Sequence, residues 1–323
     1  MIKIYEGVGE EIIPLFNSVT PELEVDIKKW RWKYIENPLK ENLIAVFETD
    51  KGEIVGEEAI VPFKAYFKGK IVKIGHSVDS MVLENFRGRG IFKRLAIKTL
   101  EEGKTRGYYY FYGFPNKNSL PIYTKKLGWI SFGYIRRWIF PLNLNILSTK
   151  FKIDLSILSS LFKFNKSLLK RKFNFIKVQN FSGVEKYLDN LKNHYDIFLL
   201  RDEEFLTWRY LSHPYYIYEI FKDDDSLFIL RIKEVDIKRG TIEEFLYKNY
   251  ESFSKLVSFS LRFFIENNVD LVDIWIKQGD PLERILFFKG FIPYQKRLII
   301  LYPFEKIHFS KNYFFNFSDL DVI

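Results

Sequence analysis

The sequence predicts an α/β protein with a mixed sheet, divided into two domains. Its length of 323 residues suits about two domains of ordinary size. Segments with the periodicity of strands and helices alternate through the first 140 residues, and two short patterns from this half recur later in the same order. With 47% hydrophobic and 28% charged residues, the composition is that of a globular protein with a buried core.

The elements of the first half are predicted in the order β-α-α-β-β-β-α-β-α-β. Alternating apolar residues indicate strands, and apolar residues three or four positions apart indicate helices. Glycine-containing turns at 50–52 and 68–70 separate antiparallel strands. The predicted strands are 2–5, 43–47, 54–67, 71–83, 108–114 and 129–140, and the predicted helices are 10–19, 26–36, 91–102 and 118–126.

The second half reads as a diverged copy of the first. Residues 32–38 (WKYIENP) are echoed at 208–214 (WRYLSHP), and residues 126–129 (KLGW) are echoed at 288–291 (FKGF). We therefore predict a first domain over residues 1–141 and a degenerate second domain over 176–323, which binds the acceptor or forms a homodimer. Residues 142–175 form a basic amphipathic connector, predicted either to bridge the domains or to contact a membrane surface or polyanion.

Several classes of site and location are excluded or disfavoured by composition. There are no cysteines, so disulfides and thiolate chemistry are excluded, and the four histidines, at positions 76, 194, 213 and 308, are too far apart for a local metal motif. No metal is expected. Without a signal-like N-terminus or a span-length apolar run, a cytoplasmic protein is expected. The net charge of +9 is attributed to a lysine-rich surface, with no nucleic-acid partner expected.

The most informative segment is Met81–Ile91, in which a hydrophobic strand leads through Arg87-Gly88-Arg89-Gly90 into an amphipathic helix. The start of a helix offers unpaired N–H groups and the positive end of its dipole. Glycines let the backbone approach an anion and adopt positive φ, while arginines add charge-assisted hydrogen bonds. The segment therefore predicts a diphosphate site.

This segment resembles the (Gln/Arg)-x-x-Gly-x-(Gly/Ala) motif by which GNAT acyltransferases hold the pyrophosphate of coenzyme A. Arg87 takes the first position and Gly90 the glycine, while Phe92 replaces the last small residue. The resemblance, over about residues 1–140, implies a GNAT fold and acetyl-CoA as co-substrate, and together with the internal repeat it predicts two GNAT-like domains in tandem. The cofactor residues that it implies are Met81, Val82, Leu83, Arg87, Gly88, Arg89, Gly90, Ile91, Phe92 and Asn116.

The same resemblance implies catalytic roles. In the family, an asparagine near the pantetheine arm and a tyrosine that protonates the leaving thiolate match Asn116 and Tyr123, although Tyr123 lies one residue further from Gly128 than is usual. An acceptor amine is protonated at neutral pH and needs a base. His76 and Asp79 are candidates on the strand that leads to the loop, and they are expected on opposite faces because side chains alternate.

Other bases also remain open, namely Glu57 and Glu58 on the preceding strand, and a water chain. The function expected from the resemblance is N-acylation of a small amine, such as an amino sugar or nucleotide-sugar, whose pocket the aromatic strand at 108–112 could line. The alternatives are an aminoacyl-tRNA-dependent peptidyltransferase and a non-catalytic module that binds coenzyme A or a polyanion.

Overall fold

The computed structural model describes residues 1–320 except 8, 24, 144–170 and 235. The predicted connector thus lies almost wholly outside the described residues. In the first half the strands are β1 (Ile2–Ile4), β2 (Leu43–Glu48), β3 (Ile54–Phe67), β4 (Lys70–Val82), β5 (Tyr110–Gly113) and β6 (Ile130–Pro141). The helices of this half are α1 (Ile13–Val19), α2 (Ile27–Tyr34), α3 (Ile91–Thr105) and α4 (Leu120–Lys126).

The second half repeats most of this order. Its strands are β7 (Ile176–Val178), β8 (Ile197–Leu199), β9 (Glu219–Lys222), β10 (Ser226–Glu234), β11 (Lys238–Tyr247), β12 (Leu271–Lys277), β13 (Ile292–Pro303) and β14 (Tyr313–Phe314). Its helices are α5 (Glu185–His194), α6 (Glu203–Leu206), which continues into a π-helical turn at Thr207–Leu211, α7 (Tyr250–Glu266) and α8 (Leu282–Phe288). The predicted mixed α/β class is confirmed.

One mixed sheet runs through both halves, in the order β1-β2-β3-β4-β5-β13-β6-β12-β11-β10-β9-β7. The order is palindromic if β7, β9, β10, β11, β12 and β13 are matched with β1 to β6. The strand pairing agrees with this match: β4 and β5 pair in parallel, and so do β11 and β12, which are matched with them. At the centre, β13 lies between β5 and β6, so a strand from the second half completes the sheet of the first.

The two tryptophans of the sequence echo meet at the contact between the halves. The rings of Trp32 and Trp208 stack with centroids 4.7 Å apart. Each indole Nε1 donates to the other residue's carbonyl oxygen, at 2.9 Å from Trp32 and 2.8 Å from Trp208. Both residues are buried, and the largest hydrophobic cluster contains side chains from both halves. The described halves therefore share a core as well as a sheet.

Helix α3 packs an apolar face on the sheet and is longer than predicted. Ile91, Leu95, Ala96 and Leu100 are its main buried apolar residues. The sequence predicted an end near Gly103, but the helix continues to Thr105. A Cβ atom at Gly103 would lie 2.4 Å from the ring of Phe111, so glycine here permits close packing on β5 rather than ending the helix. No helix among the described residues is long and apolar enough to cross a membrane.

Candidate active site

A cleft opens where β4 and β5 diverge. The two strands pair in parallel only between Ile74–Ser77 and Tyr110–Gly113. Beyond Ser77, β4 continues to Val82 while β5 ends, so one backbone edge of residues 78–82 has no strand partner in the described part of the chain. The cavity at this divergence has a volume of about 800 Å³ and reaches the start of α3 on one side and α4 on the other. This is the size of a cofactor pocket.

The glycine loop forms one end of the cleft. Gly88 and Gly90 have φ of 77° and 73°, a left-handed conformation that favours glycine. A Cβ atom on either would meet nothing within 4 Å, so the space beside both is open. Gly90 is the N-cap of α3 and provides no side-chain cap, which leaves the N–H groups of the first turn available. The loop is therefore built to receive an anion.

The two arginines of the loop have different positions. Arg87 lines the cleft, and its Nε donates to the carbonyl oxygen of Val82 at 3.0 Å. Arg89 is exposed, donates to the carbonyl oxygen of Asn85 at 3.1 Å, lies over the ring of Phe86 and does not line the cleft. The predicted cofactor residues that line the cleft are Met81, Val82, Arg87, Gly88, Gly90, Ile91, Phe92 and Asn116, whereas Leu83 and Arg89 do not.

Asn116 shapes the turn that follows β5. Its Oδ1 accepts hydrogen bonds from the backbone N–H groups of Asn118 and Ser119, at 2.9 and 3.0 Å. These are the bonds of an Asx turn, which orders the backbone before α4. The cleft wall at Asn116 is therefore set by local turn chemistry.

A buried hydroxyl network lies in the wall of the cleft. The hydroxyl of Tyr123 donates to Oε1 of Glu58 at 2.9 Å and lies 3.0 Å from the hydroxyls of both Ser77 and Ser80. Ser77 also donates to Glu58 Oε1, at 2.8 Å. The serines and Tyr123 line the cleft, while Glu58 lies behind them, 1% exposed. Burial raises the pKa of Glu58 to about 7, although the hydroxyl donors lower it.

Ser77 and Ser80 could not be predicted from strand periodicity, because β4 contains a β-bulge. Between the pairs Glu57↔Met81 and Ala59↔Val78, β3 has one residue and β4 has two. The extra residue breaks strict alternation, so Ser77 and Ser80, three residues apart, both reach Tyr123. Asp79 in this bulge has φ of 50°, unusual for a residue other than glycine, and accepts hydrogen bonds from Lys33 Nζ and Tyr34 OH. Asp79 lines the cleft.

His76 is placed differently from the other candidates. Its ring is 1% exposed and stacks on Tyr112 at 4.4 Å, with Phe114 edge-on at 5.7 Å. Burial, with smaller contributions from the charges of Lys33 and Arg209, holds the pKa of His76 well below its usual value. His76 does not line the cleft. Among the described residues, no three His, Asp or Glu side chains are grouped to hold a metal ion.

Comparison with known proteins agrees with this geometry. Residues 10–131 match a family model described as an acetyltransferase (GNAT) domain. No curated protein matches the chain by sequence. Among solved structures, a GCN5-related N-acetyltransferase from Anabaena variabilis has a TM-score of 0.66 at 14% identity, and the match covers 94% of this chain and 73% of that one.

Two further structures show the same fold. A protein of unknown function from Enterococcus faecalis, titled a probable N-acyltransferase, has a TM-score of 0.65 at 12% identity, and covers 94% of this chain and 73% of its own. Saccharomyces cerevisiae N-myristoyltransferase with bound myristoyl-CoA has a TM-score of 0.63 at 10% identity, and covers 94% of this chain and 79% of its own. Residues 10–131 are therefore similar in sequence to a GNAT acetyltransferase domain, and the fold of the chain is the one that these solved structures share.

Proposed function

We propose that the protein transfers an acetyl group from acetyl-CoA to the amine of a small molecule. The observation that carries this proposal is the uncapped start of α3, which opens with two left-handed glycines onto a cleft of about 800 Å³ between diverging strands. An unsatisfied helix N-terminus beside open space is an anion site, and the diphosphate of coenzyme A is a suitable guest.

The chain offers separate groups for each part of the donor. The N–H groups of Ile91 and Phe92 and the guanidinium of Arg87 would hold the pyrophosphate. The unpaired backbone edge of residues 78–82 would pair with the amides of the pantetheine arm, as a strand pairs with a sheet edge. This arrangement brings the thioester toward Ser77, Ser80 and Tyr123.

The hydroxyl network supports proton transfer to and from Glu58. With a pKa of about 7, Glu58 is ionised in a large fraction of molecules near neutral pH and is basic enough to accept a proton through Ser77. The amine nitrogen then bonds to the thioester carbonyl carbon, and the carbon–sulfur bond breaks. Burial raises the pKa of Tyr123 well above its usual value, so its hydroxyl stays protonated and can protonate the thiolate while Glu58 returns the proton to it. A protonated acceptor first loses one proton to solvent and enters as the free amine; its nitrogen then loses a second proton as the amide forms, and the thiolate gains one.

We also propose that residues 176–323 are a second GNAT-like copy that binds no coenzyme A. The palindromic strand order and the paired Trp32 and Trp208 support duplication. In the copy, the helix equivalent to α3 is α7, whose N-terminus is closed by its own side chains. Asn249 Oδ1 accepts from the N–H of Ser252 at 2.9 Å, and Ser252 Oγ accepts from the N–H of Asn249 at 3.0 Å. An anion would have to displace this capping box.

The aromatic strand gives no support for a sugar as the acceptor, because it does not reach the cleft. In the aromatic strand that suggested a sugar pocket, at 108–112, Tyr109 is half-buried and the other four residues are each no more than 3% exposed, and none of the five lines the cleft. Their burial in the core accounts for the aromatic pattern without a sugar ligand.

The test is a mass-spectrometric survey with purified protein, acetyl-CoA, myristoyl-CoA and a panel of amino sugars, amino acids and polyamines. The proposal expects N-acetylated product from at least one amine, with one free thiol released per product. Coenzyme A binding without transfer to any amine would favour a non-catalytic module. Transfer only from myristoyl-CoA would show that the protein transfers a long acyl chain and not acetyl. Transfer only from aminoacyl-tRNA would show that the donor is not an acyl-CoA.

A further inference from the structure

The bulge of β4 depends on an unusual backbone conformation at Asp79. Its φ of 50° lies in the left-handed region, which L-residues rarely adopt because Cβ approaches the following carbonyl oxygen. Among the described residues, the other non-glycine residues with positive φ lie outside the strands, at positions 40, 68 and 268. Such a conformation costs free energy and persists only where surrounding contacts hold it. Asp79 therefore needs partners that fix it.

Two adjacent residues at the end of α2 are those partners. Lys33 Nζ and the hydroxyl of Tyr34 both donate to Oδ2 of Asp79. Lys33 is 5% exposed and Tyr34 is 1% exposed, so both bonds are shielded from water. Hydrogen bonds to a carboxylate are stronger than those between neutral groups, and burial strengthens them further. Lys33, Tyr34 and Asp79 thus form a clamp that fixes the bulge to α2.

The clamp determines where Ser80 lies. In a regular strand, Ser77 and Ser80 would point to opposite faces of β4, because side chains alternate. With Asp79 in the left-handed conformation, both serine hydroxyls lie 3.0 Å from the hydroxyl of Tyr123. The two donors of the clamp do not line the cleft, so any effect that they have on the cleft passes through the bulge.

We propose that the two donors of the clamp, Lys33 and Tyr34, are positioning residues for acetyl transfer. They act through Asp79, which they hold in the conformation that places Ser80 in the hydroxyl network, and this role rests on the proposed function. The sequence suggested Asp79 as a base, but its carboxylate is engaged by both donors of the clamp. The clamp gives Asp79 a positioning role instead.

The first experiment is a double-mutant cycle of Tyr34→Phe and Ser80→Ala. Tyr34→Phe removes one donor and leaves the ion pair of Lys33 and Asp79, so no charge near the network changes. Each single variant should lower kcat by about tenfold, roughly the effect of one hydrogen bond. The double variant should lose no more than about twofold beyond Ser80→Ala alone. Losses that multiply would show that Tyr34 acts independently of Ser80 and would overturn the proposal.

The pH dependence is a second readout, which a loss of stability alone would not change. Burial raises the pKa of Glu58 to about 7, and the hydroxyl donors, of which Ser80 has the largest effect, lower it. The charge of Asp79 also raises this pKa, and Tyr34→Phe leaves that charge in place. Both Tyr34→Phe and Ser80→Ala should therefore move the rise of kcat/KM to higher pH. A rise that stays at its wild-type pH in Tyr34→Phe would contradict the proposal.

Tyr195→Phe is the matched control. Tyr195 is also buried and donates to a carboxylate oxygen, Oδ2 of Asp280, at 2.9 Å, but it lies in the second half and does not line the cleft. This variant should keep the kcat and the pH dependence of the wild type. Equal losses in Tyr195→Phe and Tyr34→Phe would show a general effect on folding and would refute the positioning role.

Substitution of Asp79 separates a positioning residue from a base, and it keeps the proposal testable if Tyr34→Phe does not fold. Asparagine adopts the left-handed region more readily than most residues, and its amide oxygen can accept from the clamp donors, whereas valine does neither. Asp79→Asn should therefore keep a kcat at least about tenfold above that of Asp79→Val. Equal losses in the two variants would identify the carboxylate as the base and would overturn the proposal.

Failure of acetyl transfer itself is distinguished by structure. If no amine is acetylated, the proposed function fails. Crystal structures of the wild type and of the double variant Lys33→Met, Tyr34→Phe then test the clamp alone. Loss of the contact between Ser80 and Tyr123 in the double variant only would support the clamp, and persistence of that contact would reject it.

Discussion

Glu57 and Glu58 are adjacent carboxyl groups with different surroundings. Both are buried, and burial raises the pKa of each. Glu58 receives hydrogen bonds from Ser77 and Tyr123, which lower its pKa, whereas neither oxygen of Glu57 has a partner among the described residues. Burial, with a smaller contribution from the charge of Asp79, raises the pKa of Glu57 well above its usual value. Only Glu58 combines a connection to the cleft with a pKa close to neutrality.

We predict that Glu58→Gln lowers kcat by about 10²–10⁴, the range for loss of a general base, with little change in acetyl-CoA affinity. In the wild type, kcat/KM should rise with pH through about 7, because below that value Glu58 is protonated and cannot accept a proton. Steady-state rates from pH 5 to 9 measure both effects.

Glu57→Gln is the control, since it replaces the neighbouring buried carboxyl group, whose oxygens accept no hydrogen bond from the described residues, and leaves the bonds to Glu58 in place. This variant should keep near-normal turnover and the same rise of kcat/KM with pH. The sequence also suggested His76, so His76→Ala belongs in the series. If the rise of kcat/KM with pH near 7 is lost in His76→Ala and retained in Glu58→Gln, the assignment of the base to Glu58 is wrong.

At the scale of elements, α3 and α7 occupy matching places in the strand order but differ in how they begin. Helix α3 follows a left-handed glycine without a side-chain cap, while α7 begins with the capping box of Asn249 and Ser252. A capping box satisfies the N–H groups that a phosphate would otherwise bind. The start of α3 is therefore open to an anion, whereas the start of α7 is closed.

We predict that each chain binds one molecule of coenzyme A. Isothermal titration should give a stoichiometry near one, and Asn249→Ala with Ser252→Ala should leave the affinity of the site at α3 unchanged. This double variant also serves as a stability control, because removal of a cap costs about 1 kcal/mol. A stoichiometry near two would contradict the assignment of an inactive second copy.

The whole molecule is held together at the centre of its sheet and at the tryptophan pair. Because β13 inserts between β5 and β6, the halves cannot separate without breaking the sheet. Trp32 and Trp208 add two reciprocal hydrogen bonds and a stacked ring pair at the same contact. Unfolding of the halves should therefore be cooperative.

We predict that Trp32→Phe and Trp208→Phe each reduce the free energy of unfolding by about 1–3 kcal/mol, because each leaves a buried carbonyl without its donor. The double variant should lose less than the sum, since the two bonds support one geometry. Urea denaturation of the four proteins measures this coupling. Additive losses would show that the two bonds act independently.

Much of the fold was predictable from local patterns, and less of the site was. The element order of the first half and the glycine loop follow from periodicity and from residues with strong backbone preferences. The insertion of β13 depends on pairing between residues far apart in the chain, which periodicity does not encode. Ser77 and Ser80 were missed because the bulge at Asp79 changes which side chains share a face. The burial of His76 depends on its stacking with Tyr112, a contact between two strands.

The most direct test of the central claim is calorimetric titration of coenzyme A into wild type and into the double variant Arg87→Glu, Gly90→Val. Valine is strained at the φ of 73° of Gly90, and its side chain would enter the open space beside the helix start, while glutamate repels the diphosphate. The matched control is Gly69→Val with Lys70→Glu, which imposes the same type of strain and charge change at the β3–β4 turn, where φ of Gly69 is 88°. We expect at least about a 100-fold loss of coenzyme A affinity in the loop variant only, with its thermal unfolding matching that of the control. Unchanged affinity in a folded loop variant would show that coenzyme A does not bind at the start of α3.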